Sequence, residues 1–319
     1  MSNTSEKIKQ ILLKEYGLVV NEAHPMTMGV GGDTFLVETS QGKFVYKIAD
    51  ENEMNHLKAE PELCDFLYRK GISVSEFIKN NSGSFTTVYG ENRVSHLQKF
   101  VEGKVFSMNK ATDWFMEQSP VLLGKIHTTL QDYKELPMGI GQDFFRFMTP
   151  ENAKNSYQNS YEMAKQNGEL DLLEDLEFRI RFLSQIKDWE FDLQKLTYCN
   201  THGDYTVNQM ICGEDKINAV IDWTCACRHP VVWEITRSFF YAEQTCANGG
   251  FDERKFKDYV ERYCSEAKLT QYDKDNLLKL YFYQIAVCDY YSQYLYAEED
   301  KKEEYLLQAK FATEVLKRL

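Results

Sequence analysis

Two aspartates, Asp204 and Asp222, stand eighteen residues apart in CNTHGDYTVNQMICGEDKINAVIDW, residues 199–223, with an amide pair, Asn208 and Gln209, between them. The run NAVIDW reads as an apolar strand ending in Asp222, and QMIC as a second short strand beginning just after the loop that holds Asp204. A hairpin from 209 to 222 would bring both carboxylates to the same end of two neighbouring strands. Carboxylates and an amide gathered in this way suit Mg²⁺, a hard cation that takes oxygen ligands and accompanies phosphates. One carboxylate can hold the metal while the other orients a hydroxyl nucleophile, which is the division of labour in phosphoryl transfer. An aspartate-rich hairpin with ordinary turn chemistry is the alternative.

The stretch resembles the aminoglycoside phosphotransferase and choline kinase group, the small-molecule relatives of protein kinases. Their catalytic loop reads HGD followed by an amide ligand, then a strand ending in IDW or IDF. His202, Gly203 and Asp204 match the loop, Ile221, Asp222 and Trp223 match the strand end, and the separation is the family's usual one. The resemblance implies transfer of the γ-phosphate of ATP or GTP, with Mg²⁺, to a hydroxyl of a small molecule. Asp204 would be the catalytic base and Asp222 a metal ligand. The family's asparagine falls five residues after the catalytic aspartate, where this chain has Gln209. Because the spacing to Asp222 is intact, the amide ligand is assigned to Gln209, with Asn208 competing. Gln carries one more methylene, so its carbonyl must fold back to reach a metal that tolerates little geometric error. His202 is expected to organise the loop, His127 to pack or cap, and Glu234 to serve a structural role at a helix start.

Upstream, the same resemblance makes Lys47 in FVYKIA the lysine that contacts the α and β phosphates, with Glu60 on the following helix as its partner. Gly31 and Gly32 in GVGGDTFL resemble the phosphate-covering turn, where missing side chains let backbone N–H groups approach. Asp33 would repel phosphate there, so it is expected to point into the turn or to meet a cation. Gln98 and Phe100 in QKF align with the hinge whose backbone binds the purine.

The elements that must position these residues follow from periodicity. Ile8, Ile11, Leu12 and Tyr16 predict a first helix, residues on both sides of Ser40-Gln41-Gly42 alternate as a hairpin, and Met54 to Leu67 predict a helix interrupted by Pro61 and ending at Gly71. Strand-like runs follow at 72–79, 84–89 and 93–100. Helical spacing dominates 107–132, 151–196 and 232–319. The expected fold class is α+β, a bilobal protein-kinase-like fold. An N-terminal, mainly antiparallel sheet lobe with one key helix (1–100) would bind nucleotide. A larger, mainly helical C-terminal lobe (101–319) would carry the catalytic loop and the acceptor.

A formal charge of −12 argues against a nucleic-acid surface, which would need a basic patch. No run is apolar and long enough to span a bilayer. Eight cysteines, irregularly spaced and without CxxC, predict neither a zinc site nor a disulfide framework, and the expected setting is cytoplasmic. The expected partner is a small-molecule acceptor, possibly cationic, since the helical regions near the C-terminus are rich in Tyr, Phe and acids. A catalytically silent binding protein, like certain spore-coat relatives, is the second reading. A protein kinase is disfavoured because no APE-type element follows IDW.

Overall fold

The computed structural model describes residues 2–26, 33–50, 54–299 and 301–318. In chain order its elements are α1 (Ser2–Tyr16), β1 (Val20–Met26), β2 (Asp33–Thr39), β3 (Gly42–Asp50), α2 (Met54–Arg69), β4 (Phe77–Ile78), β5 (Thr86–Gly90), β6 (Arg93–Lys99) and α3 (Asp113–Thr129). There follow α4 (Gln142–Phe147), α5 (Pro150–Asn167), α6 (Leu173–Ile186), β7 (Tyr198–Thr201), β8 (Met210–Cys212), β9 (Ile217–Val220) and β10 (Cys227–Pro230). The chain finishes with α7 (Val231–Ala242), α8 (Glu253–Tyr263), α9 (Gln271–Val287), α10 (Tyr290–Tyr296) and α11 (Lys302–Leu316). Two compact units divide these elements: Met1–Val105 with Gln209–Ala226, and Phe106–Asn208 with Cys227–Leu319.

In the first unit an antiparallel sheet runs β1-β2-β3-β6-β4, with β5 also paired to β6. Period-two alternation sorts β3: Phe44, Tyr46 and Ile48 join Leu97 and the helix residues Ile8 and Leu12 in one apolar core. Lys47 therefore faces the other way, directly across from His96 on β6. Strand β1 was not foreseen from the sequence. It lies at the sheet edge, is mostly exposed and contains Pro25, so it lacks the alternating apolar pattern of a half-buried strand.

Helix α2 buries Glu60, Leu63, Cys64 and Leu67, spaced as one helix face, and leaves Glu62 exposed. Contrary to expectation the helix runs through Pro61. Proline removes one backbone bond, and the burial of this face offsets that loss. The hairpin β8-β9 is tied to the same unit. Lys104 and Cys212 exchange both backbone bonds, at 2.9 and 2.8 Å, and the Val220 N–H donates to Ser73 O at 2.9 Å. Gly103 makes this approach possible: at φ +150°, any Cβ would sit 2.5 Å from Cys212 O.

The second unit is mainly helical. In α7 every residue but Arg237 is buried, and Phe239 and Phe240 pack among Phe256, Tyr259, Tyr281 and Phe282. A two-stranded ladder, β7-β10, supports the segment leading to Asp204. Strand β10 was not foreseen, because CRHP carries no strand periodicity. All eight cysteines are free thiols. Among the described residues no helix is long and apolar enough to cross a membrane.

Candidate active site

The 209–222 hairpin forms as its two short apolar runs predicted. Met210 pairs with Val220, and the Ile221 N–H donates to Gln209 O at 2.9 Å, so Gln209 and Asp222 stand at the same end of the two strands. Asp222 leaves β9 in the left-handed region, φ +58° and ψ +67°, a conformation that aspartate tolerates better than most side chains. That turn aims its carboxylate at two partners: Thr224 Oγ1 donates to Oδ1 at 2.6 Å, and Lys47 Nζ lies 3.9 Å from the same oxygen.

Glu60 comes to this cluster from α2. Its Oε1 accepts the main-chain N–H of Trp223 at 3.0 Å, and Trp223 in turn donates its indole N–H to Val220 O at 3.2 Å. Among the described residues the ion pair of Lys47 is with Asp222 and not, within 4.0 Å, with Glu60. Burial lifts the Glu60 carboxyl to about 7, against the opposing charge of Lys47 and with help from Asp222. His96 Nε2 lies 3.8 Å from Glu60 Oε2, and among the described residues neither ring nitrogen of His96 has a hydrogen-bond partner. Burial, with Lys47 adding to it, pushes His96 down to about 3, so the ring is neutral.

The other expected nucleotide contacts are distributed around this sheet. Gly31 and Gly32 lie outside the described residues. Asp33 is exposed and pairs with Arg93 at 2.7 Å. Gln98 is paired to Val45 on one side and Phe77 on the other. The Phe100 N–H donates to Lys43 O at 3.1 Å, so this hinge N–H is engaged within the sheet.

In the second unit Asp204 sits in a loop built on buried polar groups. Its main-chain N–H donates to His202 Nδ1 at 3.2 Å, and His202 is fully buried. Glu234 Oε1 accepts the Gly203 N–H at 2.7 Å, while Oε2 meets His127 Nε2 at 2.8 Å; His127 Nδ1 reaches Tyr263 Oη at 2.9 Å. Burial acts to raise the Glu234 carboxyl, but the His127 hydrogen bond and charge hold it below the usual carboxylate range. His127 and Glu234 are packed organisers of the loop. Asn208 is exposed.

Arg237 was missed from the sequence. Its Nη1 lies 2.5 Å from Asp204 Oδ1, and its guanidinium stacks on the rings of Tyr241 (4.5 Å to the centroid) and Trp233 (5.4 Å). The available signal was a single charge inside WEITRSFFYA, after the acidic helix start, since arginine in an apolar helix is rarely buried without a partner.

The geometry supplies oxygen donors of the kind a hard cation takes. Among the described residues no group of three or more His, Cys, Asp or Glu side chains is arranged to hold a metal ion. One carboxylate and one amide fit a Mg²⁺ that keeps waters and takes its remaining oxygens from phosphates.

The family model for the phosphotransferase enzyme family (APH) matches residues 22–271. No curated protein matches the chain. Among solved structures, the AMP-bound spectinomycin phosphotransferase APH(9)-Ia is 13% identical, with 98% of each chain covered and a TM-score of 0.66. The amicoumacin kinase hAmiN, in complex with AMP-PNP, Ca²⁺ and Ami, is 11% identical, covering 93% of this chain and 88% of that one at a TM-score of 0.63. A microcompartment-associated aminopropanol kinase is 14% identical, covering 98% and 97%, at 0.62. These likenesses give the fold, α+β with an N-terminal antiparallel sheet and a larger helical part, as expected. The family match spans most of the sequence, and the chain belongs to the APH phosphotransferase enzyme family.

Proposed function

We propose that the protein is a small-molecule kinase that transfers the γ-phosphoryl group of ATP or GTP to an alcohol acceptor. The observation that carries this reading is the meeting of Lys47, Glu60 and Asp222 in one cluster: a strand lysine 3.9 Å from a carboxylate at a strand end, with a helix glutamate fixing the next residue. Residues 1–100 and the 209–222 hairpin serve the nucleotide, and the rest of 101–319 carries Asp204 and the acceptor.

In this reading Asp222 and the Gln209 amide hold Mg²⁺, with Asn208 as the competing ligand. The ion, when bound, neutralises charge on the phosphates. Lys47 binds the α and β groups; Gly31, Gly32, Gln98 and Phe100 line the nucleotide. Asp204 accepts a hydrogen bond from the acceptor hydroxyl and takes its proton. A bond forms between the acceptor oxygen and the γ-phosphorus, the bond from γ-phosphorus to the bridging oxygen breaks, and the nucleoside diphosphate leaves.

The acceptor class is supported by what similar kinases act on or hold, spectinomycin, Ami and aminopropanol; a cytoplasmic setting is part of the same reading. The retained Lys47, Asp204 and Asp222 favour an enzyme over a silent binding protein. The test is phosphoryl transfer from Mg-ATP and Mg-GTP across aminoglycosides, amino alcohols, homoserine and sugars. Acceptor-dependent transfer that disappears in Asp204→Ala supports the reading; saturable nucleotide binding with no transfer to any acceptor returns the protein to the binding class.

A further inference from the structure

Helix α7 is buried at every position except Arg237, whose side chain retains 15% of its exposure. A guanidinium is always charged and cannot shed its proton to escape an apolar setting. It must therefore be held by an anion and by polarisable faces, and both are present. Trp233 and Tyr241, one turn before and one turn after on the same helix face, bracket the cation with their rings. Tyr241 is itself held by a hydrogen bond from Gln308 Nε2 to its hydroxyl at 3.0 Å. The anion is Asp204, at 2.5 Å.

This arrangement differs from that of Glu234 one turn earlier. Glu234 holds the main chain of the loop through Gly203, whereas Arg237 forms an ion pair with the side chain of Asp204. We propose that Arg237 is a positioning residue for phosphoryl transfer: locked between Trp233 and Tyr241, it holds the Asp204 carboxylate in one rotamer, beside a permanent positive charge, for the hydroxyl that attacks phosphorus. The inference rests on the reading of Asp204 as the group that orients the nucleophile. It carries a chemical consequence. When Asp204 takes the hydroxyl proton it loses its charge, and Arg237 is left without its carboxylate. Arg237 therefore opposes early proton transfer and keeps Asp204 as a hydrogen-bond acceptor until the oxygen–phosphorus bond is forming. The proton then reaches Asp204 late, in keeping with a loose transition state that needs alignment more than deprotonation.

The test uses the full chain, with water as the acceptor and Mg-ATP as the probe, so that no acceptor need be known. Rates of hydrolysis to ADP and phosphate, together with thermal midpoints without nucleotide, are measured for wild type, Arg237→Met, Arg237→Lys, Asp204→Asn and the Arg237→Met/Asp204→Asn double variant. Misplacing the nucleophile-orienting group predicts a fall in kcat of about 10²-fold in Arg237→Met, with KM for Mg-ATP changed by less than about twofold, and partial recovery in Arg237→Lys. In the Asp204→Asn background, Arg237→Met should produce no further loss of rate. It should also raise the thermal midpoint there, because it removes a buried cation that has lost its anion. A packing role alone predicts that Arg237→Met lowers the midpoint equally in both backgrounds and leaves kcat unchanged, and either result overturns the inference. Wild-type hydrolysis in Asp204→Asn would instead overturn the reading of Asp204, and with it this inference. An Asp204→Asn protein without activity beside a fully active Arg237→Met protein would remove the inference alone.

Discussion

Glu60 on α2 accepts the main-chain N–H of Trp223 at 3.0 Å, so the helix carboxylate fixes the residue that immediately follows Asp222. Sequence reasoning assigned Glu60 to Lys47. The structure gives it a backbone task at the strand end, while Lys47 stands 3.9 Å from Asp222. A charged carboxylate so deeply buried is costly, and the pH dependence of stability should register it.

Burial raises the Glu60 carboxyl from 4.5 to about 7. A folded-state value above the unfolded one means that the native protein binds the proton more tightly between those two values. Stability should then fall as pH rises from about 4.5 to 7, by up to about 3 kcal/mol from this group alone. Glu60→Gln keeps an oxygen for the Trp223 N–H and removes the titration. In denaturant titrations the variant should therefore gain on wild type between pH 5 and pH 8. An unchanged difference across that range would show that Glu60 does not titrate there.

Asp222 combines a left-handed backbone with a carboxylate that meets both Thr224 and Lys47. Asn tolerates that backbone, so Asp222→Asn should fold with a stability within about 1 kcal/mol of wild type, the partly exposed Lys47 pair being worth little. Its phosphoryl transfer should nevertheless fall by about 10²–10³-fold, the usual loss when a transition-state charge partner is removed. Asp222→Ala should lose comparable activity and a further 1–2 kcal/mol or so, because alanine pays the left-handed penalty. Thermal melts beside transfer assays separate the two effects.

Glu234 and His127 form a buried pair that also holds the Gly203 N–H. Glu234→Ala should cost about 3–5 kcal/mol, since it strands His127 without its carboxylate. Glu234→Gln retains an acceptor for Gly203 and should fall between the two. Amide hydrogen exchange at Gly203 should accelerate strongly in the alanine variant and weakly in the glutamine variant. Equal exchange in both would mean that the loop is held from elsewhere.

Much of this architecture was legible where local pattern and tertiary role coincide. The alternation in FVYKIA puts Phe44, Tyr46 and Ile48 into the core and so turns Lys47 to the opposite face, and the 209–222 hairpin follows from two short apolar runs. Glu60 was singled out only through the family resemblance, and the structure places it on the buried face of α2 with Leu63, Cys64 and Leu67. Strand β1 was hidden because an exposed edge carries no apolar period. The contacts of Asp204 and Glu60 were hidden for a different reason: Arg237 lies 33 residues beyond Asp204, and the Trp223 N–H belongs to the backbone. Neither contact has a sequence spacing that periodicity could register.

Gln209 is the remaining departure from the family pattern. It immediately precedes β8, and its carbonyl accepts the Ile221 N–H, which places Gln209 at the end of the hairpin where Asp222 stands. Its longer side chain must fold back to coordinate a cation that demands near-octahedral geometry, whereas Mn²⁺ is bound by similar oxygen ligands. Gln209→Asn should therefore raise kcat with Mg²⁺ and narrow the difference between Mg²⁺ and Mn²⁺. Gln209→Ala should weaken metal activation by at least about tenfold, and Asn208→Ala, at an exposed position, should leave it unchanged. Titrating activity against each ion separates the two amides. A loss in Asn208→Ala with Gln209→Ala unaffected would transfer the metal to Asn208, one residue earlier in the loop.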